Sequence, residues 1–213
     1  MKILILGAAG EIGRLLTDYL LEQTGHELVL YARNADRRLK IKAPNRETLV
    51  SGDFLDYALL VEAMKNVDFI YLNDMNNKGG VRNVVNAMKE TGVTRIAVAS
   101  ILDIYDEVPG AFGAWNRRML GENGIRLHKE TAALVEIPEL DYTILRLTWL
   151  YNQEGNQDYL LTSKGEPFKG AQVTRQAVAQ LMVDIIEDAS GKYIQKSLGV
   201  GEPDTDWDKP SFY

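Results

Sequence analysis

Residues 2–13 read Lys-Ile-Leu-Ile-Leu-Gly-Ala-Ala-Gly-Glu-Ile-Gly, and this stretch decides the fold. Residues 3–6 form a short apolar run, which predicts a buried strand. Apolar residues then recur at positions 12, 15, 16, 19 and 20, the spacing of one helix face, until Gly25 ends the pattern. Three glycines therefore lie at the turn from a buried strand to a helix, which indicates the first unit of a parallel α/β sheet.

The three glycines suit a loop that holds a phosphate. Gly7 permits a tight exit from the strand, Gly10 leaves no side chain between the backbone and a phosphate, and Gly13 lets the helix pack closely on the sheet. The positive end of the helix dipole would lie beneath the anion. We therefore predict that a dinucleotide pyrophosphate binds at Gly7, Ala9, Gly10, Glu11, Ile12 and Gly13. The spacing is G-x-x-G-x-x-G, not the commoner G-x-G-x-x-G, and a glycine turn without a ligand is the alternative.

The end of the second predicted strand bears on which dinucleotide binds. An acidic residue there would hold a ribose 2′-hydroxyl, but the chain reads Tyr31-Ala32-Arg33-Asn34, with Arg37 and Arg38 close behind. An arginine at this position can form paired hydrogen bonds with a 2′-phosphate. Arg33 therefore favours NADP(H) over NAD(H), with NAD(H) as the second candidate cofactor. In the alternative interpretation, Arg33 belongs to a solvated turn.

The pattern of strands and helices continues along the chain. We predict strands at residues 28–31, 48–50, 68–72, 95–99 and 142–147, a helix from about Arg126 that ends before Pro138, and a last helix capped by Thr174. Residues 102–124 are rich in glycine and predict a long, partly helical excursion. The expected fold is α/β, a Rossmann-type doubly wound parallel sheet in a single domain, 1–213, with C-terminal excursions on the substrate side. The segment from Gly199 onward is expected to wrap the surface.

Composition excludes several classes of function. The chain has 24 basic and 30 acidic residues, a net charge of −6, so nucleic acid and anionic membranes are not the expected partners. It has no cysteine and two histidines, which excludes disulfides and cysteine-ligated metals, and we expect no metal site. No run of about 18 apolar residues is present, so a cytoplasmic protein is expected.

Four segments carry a resemblance to a known superfamily: residues 7–13, the Gly52-Asp53-Phe54 turn, residues 140–146 and residues 173–179. The chain resembles the short-chain dehydrogenases/reductases, and within them the atypical branch of NmrA-like NAD(P)H-binding proteins. That branch includes epimerase/dehydratase-like and NADH-flavin-reductase-like proteins. The resemblance implies that Asp53 and Phe54 lie beside the adenine, and that Asn73 and Ser100 lie near the nicotinamide.

The resemblance also implies catalytic groups, with one departure. Ser100 corresponds to the serine that polarises a substrate carbonyl, but the usual tyrosine with a lysine four residues later is missing. His128 is a candidate proton donor, although a lone helix histidine is often only packed in place. Aromatic residues within the glycine-rich excursion and after the sixth strand are candidates to line the substrate pocket, with core packing as the alternative: Trp115, Trp149 and Tyr151.

Two main functions remain from the sequence. The first is an NADPH-preferring oxidoreductase that transfers hydride to a small planar or carbonyl acceptor such as a flavin, a quinone or an aldehyde. The second is an NmrA-like regulator that senses the dinucleotide without turnover, which the missing tyrosine-lysine pair favours. A sugar-nucleotide epimerase or dehydratase ranks third, because the chain is short for the substrate domain of those enzymes. The expected partner is a small molecule or none, and a homodimer is left open.

Overall fold

The computed structural model describes all 213 residues, which form ten strands and six helices. The strands are β1 (Lys2–Leu6), β2 (Glu27–Ala32), β3 (Glu47–Ser51), β4 (Phe69–Leu72), β5 (Arg95–Ile101), β6 (Asp141–Leu147), β7 (Trp149–Tyr151), β8 (Leu160–Ser163), β9 (Gln172–Thr174) and β10 (Lys196–Gly201). The helices are α1 (Glu11–Gln23), α2 (Ala35–Arg38), α3 (Tyr57–Ala63), α4 (Lys78–Thr91), α5 (Gly110–Val135) and α6 (Arg175–Ile186).

Eight of the strands form one sheet in the order β3-β2-β1-β4-β5-β6-β10-β8. Neighbours are parallel except β8, which runs antiparallel to β10 at the edge. Strands β7 and β9 form a separate parallel pair. The chain order reverses at β1, which pairs with β2 on one side and β4 on the other. Such a reversal opens a crevice at the carboxyl ends of the strands. The predicted doubly wound Rossmann-type fold is therefore confirmed, with an antiparallel edge strand added.

Both faces of the sheet are buried. Successive side chains of β1 point to opposite faces, so Ile3 and Ile5 join an apolar cluster with α1 and α6, whereas Leu4 and Leu6 join a cluster with α3, α4 and α5. All four of these side chains are fully buried. A parallel strand covered on both faces needs a continuous apolar run, which is why this strand could be predicted from the sequence.

The excursion after β5 is more helical than predicted. Helix α5 begins at Gly110, well before the predicted start near Arg126, and is interrupted at Gly121, where φ is 71° and ψ is 152°. Glycine tolerates this positive φ, so the chain breaks the helix there and resumes it. None of the six helices, α5 included, combines the length and the apolar character needed to cross a membrane.

The expectation for the C-terminal segment was wrong in part. Residues 196–201 form β10, which lies inside the sheet between β6 and β8 and does not wrap the surface. A Cβ at Gly199 would lie 2.2 Å from Thr162 Oγ1, and one at Gly201 would lie 2.2 Å from the carbonyl oxygen of Lys169. Glycine is therefore required in this strand because neighbouring groups approach it closely. Further along, Ser211 donates its backbone N–H to Gln172 at 2.9 Å and fastens the segment to β9.

Candidate dinucleotide and substrate site

A cleft of about 350 Å³ opens at the carboxyl ends of β1, β2 and β4, where the strand order reverses. We call it the cleft. Its lining contains seven residues that the sequence analysis predicted to bind the cofactor: Gly7, Ala9, Gly10, Arg33, Asp53, Phe54 and Asn73. Six further residues line it: Ala32, Arg38, Gly52, Asp74, Asn76 and Asn77. The structure thus brings together the glycine loop, the end of β2 and the end of β4.

The glycine loop leaves room for a phosphate against the backbone. Gly7 has a φ of +87° and donates its N–H to the carbonyl oxygen of Tyr31 at 2.9 Å. Gly10 caps α1, and a Cβ there would lie 2.5 Å from Asn73 Nδ2. A Cβ at Gly13 would lie 2.8 Å from the carbonyl oxygen of Gly7. The first backbone N–H groups of α1 have no partner within the helix. This loop therefore fits the close approach of a dinucleotide pyrophosphate.

Four residues predicted for the cofactor do not line the cleft, and one of them, Ser100, lines a neighbouring cavity. The carboxylate of Glu11 is turned to Arg175, with 2.7 Å between Oε2 and Nε. Ile12 lines a neighbouring cavity. Gly13 faces the strand-to-helix turn, where it allows close packing. A contribution of Glu11 to cofactor binding is therefore limited to its backbone N–H, and its side chain instead links α1 to α6.

Two arginines stand at the end of the cleft beside β2. The Arg38 guanidinium donates to the carbonyl oxygens of Arg33 at 3.4 Å and Ala9 at 3.5 Å, both long contacts. Neither arginine forms an ion pair. The Arg33 guanidinium donates no hydrogen bond within the protein, and Arg38 keeps N–H groups beyond the two that make these long contacts, so both can bind an anion that enters from the cleft.

The turn after β3 forms the opposite wall. Tyr31 donates its hydroxyl to the carbonyl oxygen of Asp53 at 2.8 Å, and Asp53 Oδ1 accepts the N–H of Leu55 at 2.9 Å. Burial, with the nearby carboxylates, raises the pKa of Tyr31 to about 12, so its hydroxyl remains a donor near neutral pH. The Phe54 ring lies 6.0 Å from the Tyr31 ring. The turn is thus fixed with Asp53 and Phe54 on the cleft.

A second cavity of about 240 Å³, which we call the inner cavity, adjoins the cleft. The two share Asn73, Asp74 and Asn76, so they lie side by side at the carboxyl ends of the strands. The remaining lining residues come from five places in the chain: Ile12, Met75, Ala99, Ser100, Ile101, His128, Leu147, Thr148 and Leu150. This arrangement gives a long cofactor a place to end next to a small second molecule.

Both predicted catalytic residues line the inner cavity. Ser100 is 3% exposed and its hydroxyl has no hydrogen-bond partner. His128 is 8% exposed, and its Nδ1 lies 3.1 Å from the carbonyl oxygen of Gly124. Because a carbonyl only accepts, we assign the proton to Nδ1, which leaves Nε2 without a protein partner. One hydroxyl and one imidazole nitrogen are thus available to a ligand in this cavity.

The tyrosines do not supply an alternative proton donor. Tyr105 donates to Glu136 at 3.0 Å, and burial raises the pKa of Tyr105 to about 12. Tyr151 donates to Glu202 at 2.7 Å, and burial together with that carboxylate raises its pKa to about 12. A general acid works best when its pKa is near the operating pH. The structure therefore agrees with the sequence in offering no activated tyrosine.

The three aromatic residues predicted for the substrate pocket line neither the cleft nor the inner cavity. The Trp115 and Trp149 rings lie 4.8 Å apart, and the Tyr213 ring packs against both at 5.2 and 5.1 Å. Tyr151 packs on Phe212, with 5.7 Å between ring centres. Side chains alternate along β7, so Leu150 faces the inner cavity while Trp149 and Tyr151 point the other way. These residues therefore form an aromatic cluster beside the site.

The sequence analysis missed Asn76, Asn77 and Thr148. All three follow the carboxyl end of a parallel strand, a position that is itself a signal for ligand contact. Asn77 also caps α4, where its side chain accepts the N–H of Gly80 at 3.0 Å. Their residue types alone do not indicate ligand binding, so these residues can be recognised only from their positions in the fold.

The sequence is similar to those of known proteins. Residues 7–189 match the NAD(P)H-binding protein family. Uncharacterized proteins of Mycobacterium tuberculosis and Mycobacterium bovis are 36% identical over 107 residues, which is 47% of this chain and 12% of each of those proteins. The chain thus spans about an eighth of the length of these curated relatives.

Solved structures match over nearly the whole chain. A short-chain dehydrogenase/reductase from Veillonella parvula, in complex with NADP, is 34% identical over 99% of both chains, with a TM-score of 0.95. A Rossmann-fold NAD(P)-binding family protein from Shigella flexneri is 33% identical over 100% of this chain and 98% of its own, with a TM-score of 0.81. An anaerobilin reductase from Escherichia coli O157:H7 shares the fold at 20% identity over 99% of this chain and 100% of its own, with a TM-score of 0.76. The chain is therefore a member of the NAD(P)H-binding family within the short-chain dehydrogenase/reductase superfamily.

Proposed function

We propose that the chain is an NADP(H)-dependent oxidoreductase that reduces a small planar or carbonyl acceptor. One observation carries the proposal: the cleft adjoins the inner cavity and shares three lining residues with it, and in that cavity the Ser100 hydroxyl and His128 Nε2 have no protein partner. A cleft that only held a cofactor would not need unpaired polar groups beyond its end. Such groups are costly to bury unless a ligand pairs with them.

The residues of the inner cavity would act on the oxygen of the acceptor. When bound, the reduced nicotinamide supplies a hydride to the acceptor carbon, and the acceptor oxygen takes a proton. Ser100 donates a hydrogen bond to that oxygen and stabilises the charge that develops on it. Protonated His128, held through Nδ1 by Gly124, delivers the proton from Nε2. The apolar remainder of the wall, including Met75 and Leu147, excludes water.

The preference for NADP(H) follows from Arg33 and Arg38. Both line the cleft, and neither forms an ion pair with a carboxylate. The NADP complex of the Veillonella parvula protein supports this choice.

The substitution Arg33→Ala tests this preference. It should weaken NADPH binding about 10- to 100-fold, because a hydrogen bond to a charged group is lost, and it should leave NADH binding unchanged. Arg37→Ala is the matched control, because Arg37 does not line the cleft. Equal losses for both nucleotides would contradict the assignment.

A dinucleotide-sensing regulator of the NmrA type is the second candidate. The raised pKa values of Tyr105 and Tyr151, and the missing tyrosine-lysine pair, favour it. A regulator would bind NADPH and change shape or partner without consuming it. The unpaired Ser100 hydroxyl favours the enzyme, because regulation by the nucleotide alone does not use it.

One experiment separates the two functions. Purified protein is mixed with NADPH and, in turn, FMN, a quinone and an aldehyde, and the loss of nicotinamide absorbance is followed. Oxidation of NADPH that falls about 100-fold in Ser100→Ala supports the enzyme. Saturable NADPH binding without oxidation by any acceptor supports the regulator.

A cytoplasmic location is part of the proposal, since a cysteine-free chain fits a reducing compartment.

A further inference from the structure

The inner cavity contains a second unpaired hydroxyl that the reaction described above does not use. Thr148 lines the cavity, is 4% exposed, and its Oγ1 has no hydrogen-bond partner. Ser100 is paired in register with Arg146, two residues before Thr148, so neighbouring strands bring both hydroxyls to one end of the sheet. A buried hydroxyl without a partner is unfavourable. Two of them on one cavity indicate a ligand that offers hydrogen-bond acceptors there.

The charge around the inner cavity restricts what that ligand can be. Its lining contains no lysine or arginine and one carboxylate, Asp74. Asp74 Oδ1 accepts two hydrogen bonds from Asn76, from the backbone N–H at 2.9 Å and from Nδ2 at 2.8 Å, so the carboxylate is held in place. An anion that entered the cavity would meet the like charge of Asp74 without a lysine or arginine to offset it. His128 is the only other group there that can carry a charge, and in the proposed reaction its Nε2 faces the acceptor oxygen.

We propose that the inner cavity selects an uncharged carbonyl compound whose oxygen accepts hydrogen bonds from Ser100 and Thr148, and that Asp74 discriminates against carboxylates. This specificity rests on the proposed reductase function and names the class of its acceptor. Thr148 is then a substrate-binding residue, and Asp74 is a specificity-determining residue. Flavins, quinones and aldehydes remain candidates only where no acidic group has to enter the cavity.

A matched pair of probes tests the charge selection. Methyl benzoylformate and benzoylformate differ only in that the carboxylate beside the ketone is an ester in the first. Calorimetric titration into the protein, and NADPH oxidation with each compound, should both favour the ester by at least about tenfold. Asp74→Asn should reduce the preference for the ester about fivefold. This is the change in affinity expected when the repulsion between two like charges about 4 Å apart in water is removed.

Thr148→Val tests the hydroxyl, with thermal unfolding as a second measurement. The variant should bind the ester about 3- to 10-fold more weakly, the loss of one neutral hydrogen bond, and should be as stable as the native protein or more stable. Thr148→Ser should restore ester binding. Thr162→Val is the control, because Thr162 Oγ1 is also buried and unpaired but does not line the inner cavity. A purely structural role for Thr148 would instead lower stability and leave ester affinity unchanged.

The outcomes separate this inference from the proposed function. Absence of ester binding, equal binding of ester and acid, or native ester affinity in Thr148→Val overturns the inference, even if NADPH is oxidised by another acceptor. Selective, Thr148-dependent binding of the ester without any NADPH oxidation supports the specificity of the cavity and refutes the reductase.

Discussion

Replacing Gly10 with alanine tests whether the glycine loop holds a phosphate. Gly10 has φ −74° and ψ 164°, which alanine adopts freely, so the substitution causes no backbone strain and acts only through the steric contacts of the new methyl group. The new Cβ would lie 2.5 Å from Asn73 Nδ2, and this amide must swing away. Its movement breaks the hydrogen bond from the Tyr71 hydroxyl to Asn73 Oδ1, 2.8 Å long, and the weaker one from Nδ2 to Gly7 at 3.4 Å.

The expected losses in stability and in affinity differ in size. One broken bond, with the Tyr71 hydroxyl left buried and unpaired, costs about 1–3 kcal/mol, and the lower chain entropy of alanine offsets up to about 1 kcal/mol. A net loss of about 1–2 kcal/mol lowers the Tm by about 3–6 °C in a chain of this size. The methyl group also prevents backbone contact with the phosphate, worth about 2–3 kcal/mol for charge-assisted bonds. NADPH affinity should therefore fall about 30- to 150-fold.

Calorimetric titration with NADPH and differential scanning calorimetry measure the two effects. Gly25→Ala is the control, because no heavy atom lies within 4 Å of its added Cβ. Gly13→Ala provides a contrast: its Cβ would lie 2.8–2.9 Å from backbone atoms of Gly7 and Ala8, which cannot move away. This variant should lose more stability than Gly10→Ala. Native NADPH affinity in a folded Gly10→Ala protein would refute the phosphate-binding assignment.

Three further predictions concern stability. Glu107→Ala should lower the free energy of unfolding, measured in urea, by about 3–5 kcal/mol, because the fully buried Arg146, 2.5 Å from Glu107, loses its ion partner. Lys42→Ala, which removes an exposed ion pair, should lower it by less than about 1 kcal/mol. Equal losses in the two variants would contradict this prediction. Thr174→Ala should lower the free energy of unfolding by about 1 kcal/mol, because the Thr174 hydroxyl accepts the N–H of Ala177 at the start of α6, at 2.9 Å. Thr174→Ser should restore the native stability. Burial raises the pKa of Tyr105 from 10.0 to about 12, so its neutral form stabilises the fold below pH 10, and this contribution is lost as the pH rises toward 12. Tyr105→Phe should flatten that alkaline decline in denaturant titrations, and an unchanged slope would count against it.

The sequence allowed the first half of the sheet to be predicted because its signals are local. Residues 3–6 must be apolar because both faces of this strand are buried, so the strand can be recognised from its own residues. Strand β10 could not be recognised in the same way. Gly199 and Gly201 resemble loop residues, and the reason for them is the approach of Thr162 and Lys169, which only the assembled sheet creates.

The same distinction applies to the candidate site. The roles predicted for Gly7, Gly10 and Arg33 rest on residue type and spacing, and the structure places all three on the cleft. Thr148 has no such signal: its importance comes from an unsatisfied hydroxyl in a particular cavity. The prediction that the aromatic residues line the substrate pocket was wrong for a related reason. The sequence shows that Trp149 is large, but not which side of β7 it faces.

The position of β10 has a consequence for how the protein is made. Strand β6 has β5 on one side and β10 on the other, although 48 residues separate the end of β6 from the start of β10. A nascent chain emerging from the ribosome therefore carries an exposed strand edge on β6 until residues 196–201 have also emerged. Ribosome stalling or premature termination within that interval would release a species prone to aggregate through β6, with the nucleotide loop already complete.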